Sequence, residues 1–244
     1  MQWSALSGRH IRAAAREGDL VLAFLAPLVF FTAFYVPLRR SMEATGLDYA
    51  QYLLPLILVH GMFFGSMFAG DRAAREVVAG MATRLRSMPV RTWVPVASRM
   101  SAHVVRALAA LAGGLVIGTL YGFRFHGFGA AAAFVAVVLA FGAAVIVFTD
   151  ALGTVTRNPQ LAGTVLFGPQ LLLLMTSSGF VPVEGFPGWI QPWVRNQPIS
   201  QIAAALRELS AGRFAGELAV AAAWVAALLS AGIVFAVRAE GRRG

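Results

Sequence analysis

The side chains able to do chemistry in this 244-residue chain are four histidines, eleven carboxylates and twenty basic residues. All twenty basic residues are arginine. Without lysine there is no P-loop, whose phosphate-cradling turn needs that residue, and no Schiff-base chemistry. The absence of cysteine removes disulfides, thiolate catalysis and iron–sulfur ligation. The spacings His-Glu-x-x-His, Gly-x-Ser-x-Gly and the Gly-x-Gly-Asp of membrane proteases do not occur. His10, His60, His103 and His126 are scattered, so no catalytic residue and no metal site is expected. His60 alone falls near the middle of an apolar stretch, where an ionisable residue is a functional hypothesis by default. The surroundings favour a neutral histidine hydrogen-bonded between helices over a proton carrier. Asp150 precedes Arg157 by seven residues, two helical turns, and that spacing predicts a structural clamp.

The elements that must position these groups are apolar. Of the chain, 58% is hydrophobic and 13% charged, whereas a soluble domain carries nearer a quarter charged residues. A membrane helix needs roughly 20 consecutive apolar residues. Six stretches free of Arg, Asp and Glu meet or approach that length: Leu20–Leu38, Tyr49–Gly70, Ala107–Phe123, Gly127–Thr149, Asn158–Val183 and Leu218–Val237. Ser101–Ala107 extends the third, with Arg106 near an interface. The expected fold is therefore all-α, a polytopic membrane protein of six transmembrane helices forming one domain over residues 1–244. Fourteen arginines fall on the side of the two termini and six on the other. By the positive-inside rule both termini face the cytoplasm, which makes the +9 net charge a topology signal. Residues 3–17 carry Arg9, Arg12 and Arg16 on one face and Trp3, Leu6 and Ala13 on another, the pattern of an amino-terminal surface helix. No cleaved signal peptide is expected, because the first apolar run starts only at residue 20 and contains Pro27 and Pro37.

Two connections are long. On the cytoplasmic side, Asp71–Arg75 and Arg72–Glu76 are i,i+4 pairs that continue the second span as a helix, and Gly80 permits a break. Met81–Met88 then forms a short helix stopped by Pro89, with Met81, Leu85 and Met88 on one stripe beside Arg84 and Arg86. Such a stripe suits docking into a groove on a cytoplasmic partner; an ordinary topology-fixing loop is the alternative. On the external side, Pro182, Pro187, Pro192 and Pro198 forbid a continuous helix, yet Phe180, Phe186, Trp189 and Trp193 are too apolar for a free loop. This predicts a segment lying at the interface or re-entering it, either anchoring the spans or gating an exit, with Arg195 and Asn196 among its polar residues. Ile199, Ile202, Leu206 and Leu209 form an amphipathic stripe ending at Gly212. Gly-x-x-x-Gly spacing at Gly61/Gly65, Gly114/Gly118, Gly118/Gly122 and Gly212/Gly216 suggests close packing of spans 2 and 3.

Several strings resemble one family: Arg84-Leu-Arg-Ser-Met-Pro89, Gly122-Phe-Arg-Phe-His126, Gly153-Thr-Val-Thr-Arg-Asn-Pro159, and Gly188-Trp-Ile-Gln-Pro-Trp-Val-Arg-Asn-Gln-Pro-Ile-Ser-Gln201 followed by Ala204-Ala-Leu-Arg207. With the six spans and the two helical connections, the chain from about residue 20 resembles ABC-2 type exporter permeases, in particular the B-type subunit of the actinobacterial daunorubicin-resistance family. Many such permeases carry Glu-x-Gly-Thr before the coupling helix; here Glu76 precedes Gly80 by four and Met81 replaces the Thr. The resemblance implies a permease without its own ATPase site, in the bacterial cytoplasmic membrane. ATP and Mg would be bound by a separate ABC ATPase, present in two copies. A second similar permease subunit or a homodimer is implied, as is export of an anthracycline-type drug or a complex lipid such as phthiocerol dimycocerosate. Met81, Arg84, Leu85, Arg86, Met88 and Pro89 would couple to the ATPase. Spans 1, 2 and 5 would line the pathway, with Phe30, Phe34, His60, Phe63, Phe64, Met67, Leu172 and Met175 as candidates for their aromatic and thioether adaptability. Phe186, Trp189, Trp193, Arg195 and Asn196 would form the external gate. The alternative is a secondary transporter or channel subunit that needs no ATPase.

Overall fold

A computed structural model describes residues 18–80, 93–156, 158–214 and 216–241, together with Gly8, Arg12 and Arg16. The described residues are all-helical. Among the described residues there are eight α-helices: α1 Asp19–Glu43, α2 Tyr49–Val78, α3 Trp93–Leu120, α4 Phe128–Thr156, α5 Pro159–Met175, α6 Gln191–Asn196, α7 Pro198–Ser210 and α8 Glu217–Gly241. Five of them are long and apolar enough to cross a membrane, over Asp19–Glu43, Tyr49–Val78, Ser98–Leu120, Phe128–Thr156 and Glu217–Arg238.

The fifth apolar stretch of the sequence, Asn158–Val183, is not one helix. It stops at Met175 and folds back, so that α5 has 17 residues. The cause is local. The Thr176 hydroxyl donates back to the Leu172 carbonyl and the Ser177 hydroxyl accepts from the Gly179 N–H, bonds that compete with helix continuation. Gly179 then lies so close to Leu56 that a Cβ there would meet its side chain at 2.4 Å.

Helix α2 is the axis of the molecule, packed on α1, α3, α4, α5 and α7. Leu53, Leu54, Leu56, Ile57, Leu58 and Val59 are all buried, a helix apolar on every side. Its ending at Gly80 agrees with the sequence: φ is +67°, and the Gly80 N–H closes onto the Val77 carbonyl. Close packing follows glycines. A Cβ on Gly113 of α3 would lie 2.1 Å from the Phe24 carbonyl oxygen of α1. One on Gly153 of α4 would lie 2.1 Å from the Gly70 carbonyl oxygen of α2. Gly114 and Gly118 do sit against Leu58 and Leu54, joining α2 and α3 as their spacing suggested. Gly65 faces open space.

The two ends of the bundle differ in chemistry. At one end, where α1, α3 and α5 begin and α2, α4 and α8 finish, helices are tied by ion pairs. At the other, Phe31, Tyr35, Tyr49 and Tyr121 cluster with centroid separations of 4.8 to 5.8 Å, Tyr35 stacked on Phe31 and Tyr49 and edge-on to Tyr121, and α6 and α7 close the bundle.

Candidate functional site

Between α1, α2 and α3 lies a cleft with about 700 Å³ of empty space, its open mouth included. Pro27 and Phe30 line it from α1, His60, Phe64 and Phe68 from α2, and Arg106 from α3. Small residues make the room: Ala23, Ala26, Gly61, Gly65 and Ala107 face it where larger side chains would fill it. His60 stands edge-on to Phe30, centroids 4.8 Å apart and planes at 78°. Phe64 lies 6.1 Å from His60, and Phe68 stands 5.8 Å beyond Phe64. His60 is 7% exposed, and neither ring nitrogen has a hydrogen-bond partner among the described residues. The interhelical hydrogen bond expected from the sequence is not made, because its neighbours in the cleft are aromatic rings.

The far end of the cleft is charged. Arg106 bonds to the Asp19 carboxylate, and Arg72 of α2 reaches the same carboxylate at 3.3 Å. The Arg106 guanidinium also lies 5.2 Å from the centre of the Phe68 ring. A second group sits beside it, with Arg99 of α3 bridging Glu76 of α2 at 2.7 Å and Asp150 of α4 at 3.2 Å. Asp150 is thus held by Arg99; Arg157, the partner expected from spacing, lies outside the described residues. Of the two i,i+4 pairs predicted on α2, Asp71–Arg75 forms at 2.9 Å. Arg72 and Glu76 instead turn to other helices, where each meets a half-buried opposite charge.

At the opposite end, Arg207 of α7 is held without a carboxylate. Its Nε donates to the Tyr52 carbonyl at 3.0 Å, and its terminal nitrogen donates to the Ser178 and Gly179 carbonyls at 3.0 and 3.2 Å. The guanidinium stacks 3.6 Å from the Tyr52 ring centre, and the Tyr52 hydroxyl donates to the same Ser178 carbonyl. Burial pulls the Arg207 guanidinium below its ordinary value. Its α7 neighbours Ile199, Ile202, Leu206 and Leu209 are at most 1% exposed, so the predicted stripe faces the core. At the end of α7, the Arg213 guanidinium bonds to both Glu208 carboxylate oxygens and holds that carboxyl below its usual range.

The sequence-derived residues distribute as follows. Phe30, His60 and Phe64 share the cleft. Phe34 packs on Phe180, centroids 4.1 Å apart. Phe63 packs against the core, Met67 is half-buried, and Leu172 and Met175 lie exposed on α5. In the segment before α7, Trp189 is 81% exposed. Trp193 donates to the Thr176 hydroxyl at 3.1 Å, and Asn196 donates to the Pro192 carbonyl. The carbonyls of Phe186 and Arg195 accept from Gln191 and Gln201. Met81, Arg84, Leu85, Arg86, Met88 and Pro89 lie outside the described residues. Sequence reading missed Arg207 as an anchor. The available signal was an arginine directly beside Leu206 of the amphipathic stripe.

Comparison with known proteins gives a concordant result. The family described as "ABC-2 family transporter protein" matches residues 31–238. The chain is 36% identical over 203 residues to the doxorubicin resistance ABC transporter permease protein DrrB of Mycobacterium tuberculosis, covering 80% of this chain and 70% of that one. It is 31% identical over 196 residues to the daunorubicin resistance ABC transporter permease protein DrrB1 of Streptomyces coeruleorubidus, covering 80% and 69%. It is also 31% identical over 194 residues to the probable doxorubicin resistance ABC transporter permease protein DrrC of M. tuberculosis, covering 78% and 69%.

Proposed function

This chain belongs to the ABC-2 family of transporter proteins, and from that premise we propose that it is the permease subunit of an ATP-driven exporter of amphipathic, drug-like molecules. It is a multi-pass protein of the bacterial cytoplasmic membrane, as its five span-length apolar helices and its relatives indicate. In the full topology α5 and the turn after it supply a sixth crossing, with both termini cytoplasmic. The ion-paired end of the bundle then faces the cytoplasm, and α6 and α7 face outward. ATP and Mg bind to a separate ABC ATPase, which presses on Met81–Pro89. A second permease subunit, identical or similar, completes the pathway. Residues 1–244 act as one transmembrane domain.

The observation that carries this reading is the pair of ion clusters at the base of the bundle. Asp19, Arg72 and Arg106 tie α1, α2 and α3, while Glu76, Arg99 and Asp150 tie α2, α3 and α4. The connection that would dock the ATPase leaves α2 immediately after these groups and returns through α3. A push on it is therefore delivered to four helices together. The relatives' names support a drug of the doxorubicin or daunorubicin type as cargo; a complex lipid is the competing cargo.

The experiment is co-purification from the native membrane in mild detergent. An ABC ATPase should accompany the chain in near-equimolar amount, and Arg84→Glu combined with Leu85→Glu should release it. Retention of the ATPase by that double variant places the coupling surface elsewhere. Transport without any ATPase in the preparation favours the secondary-transporter alternative.

A further inference from the structure

The turn that ends α5 is tied by its backbone to two other helices. The Ser178 carbonyl accepts from the Tyr52 hydroxyl of α2 and from Arg207 of α7. The Gly179 carbonyl accepts from the same guanidinium, and the Ser178 N–H donates to the Ser200 hydroxyl of α7 at 3.0 Å. Trp193 bonds to Thr176 at the same point, so the end of α5 carries α6 with it. Helix α5 itself is thinly covered: Val165, Phe167, Leu171, Leu172 and Met175 are exposed. The outer end of α5 is therefore fixed chiefly through the Arg207 guanidinium.

That guanidinium has three carbonyls and the face of Tyr52 as partners, and no carboxylate. Taking a charge out of water without a counter-charge is costly. A carboxylate is at hand. Glu184 acts electrostatically on the Tyr52 hydroxyl, whose ring the guanidinium covers. It is exposed on the 3₁₀ turn Val183–Gly185 between α5 and α6, and makes no ion pair among the described residues. Arg207 is half-buried, so its side chain keeps a path toward the surface. Two poses are thus open to it. In the one seen, three bonds offset desolvation; in the other, hydration and an ion pair with Glu184 replace them. A surface pair alone is worth little, so the two poses are closely balanced, as a two-state element requires.

We propose that Arg207 is a latch at the external end of this permease: it holds the turn after α5 against α2 and α7 in the state seen here, and moves to Glu184 when that turn swings out with α6. This rests on the export reading above and deepens it by naming the residue pair that regulates exit.

The chain has no cysteine, so Ser178→Cys supplies a single labelling site. Ser178 is 7% exposed and joins the node through its backbone, which the change preserves. The permease with its co-purified ATPase, in lipid nanodiscs, is treated with a maleimide at rest and after trapping with ATP and orthovanadate, and modification is read on the permease band. Labelling should be slow at rest and about tenfold faster when trapped, the change in open population that about 1.4 kcal/mol produces. Glu184→Gln should cancel that rise while leaving the resting rate and the thermal midpoint unchanged, an effect that a purely structural Arg207 does not give. Arg207→Ala should label fast in both states. A trapped rate equal to the resting rate, a full rise in Glu184→Gln, or slow resting labelling in Arg207→Ala each overturns the latch. Glu184→Gln, a change at an exposed position, keeps the test decisive if Arg207→Ala does not assemble. ATP hydrolysis in the nanodiscs and ATP-dependent doxorubicin uptake in vesicles are scored separately. Their absence from the parent protein overturns the export reading and the latch with it, whereas hydrolysis and uptake with unchanged Ser178→Cys labelling overturn the latch alone.

Discussion

At the residue scale, buried charge is spent on joining helices. Arg99 neutralises Glu76 and Asp150 at once, so Arg99→Leu should cost about 3–5 kcal/mol by leaving the buried Asp150 and the half-buried Glu76 carboxylates without their cation. Thermal unfolding in detergent reads this, and combining the change with Asp150→Asn and Glu76→Gln should recover part of the loss. Arg207 makes bonds to three carbonyls on two segments. Arg207→Ala should therefore lower stability by about 2–4 kcal/mol and loosen the segment between α5 and α7, seen as faster proteolysis there. Arg207→Lys should fall well short of rescue, because a point charge cannot replace a planar fork. An unchanged melting curve for either alanine or lysine would mean that the carbonyls find other donors. None of these pairings was legible in the sequence beyond Asp71–Arg75. Spacing along one helix finds neighbours on that helix, and Arg72, Glu76, Arg99 and Asp150 choose partners across helices.

At the element scale, hydropathy located the long helices because lipid and core impose the same requirement on them. It also overran α5. Thr176, Ser177 and Ser178 are uncharged, so a scan for Arg, Asp and Glu passes through a turn that hydroxyl groups and a close-packed Gly179 create. Glycine spacing was similarly partial. Gly114 and Gly118 do meet α2, yet the tightest approaches are Gly113 to Phe24 and Gly153 to Gly70, set by which faces the helices turn to each other. Gly153→Leu and Gly113→Val should each destabilise by about 3 kcal/mol or more, since a Cβ there meets backbone and not a side chain that can shift. Gly65→Ala should be nearly neutral apart from helix propensity. Circular dichroism melts of the four proteins, wild type included, distinguish packing glycines from the cleft glycine; equal losses at Gly65 and Gly153 would contradict the assignment.

At the scale of the whole molecule, the permease family was legible from strings such as Gly188–Gln201, and the absence of lysine already excluded a P-loop within these residues. The candidate site was less legible. Aromatic and methionine content nominated eight residues, but Phe30, His60 and Phe64 alone share the cleft, because residue type does not reveal which side of a helix faces a void. The cleft depends instead on what is small, at Ala23, Ala26, Gly61 and Gly65, and small residues carry no chemical signature. Whole-molecule function is most directly tested with inverted membrane vesicles containing the chain and its co-purified ATPase, by following accumulation of doxorubicin inside them. Uptake should require ATP, survive collapse of the proton gradient and be lost when Arg84 and Leu85 are both changed to Glu. Uptake that proceeds without ATP and stops when the proton gradient is collapsed would contradict ATP-driven export.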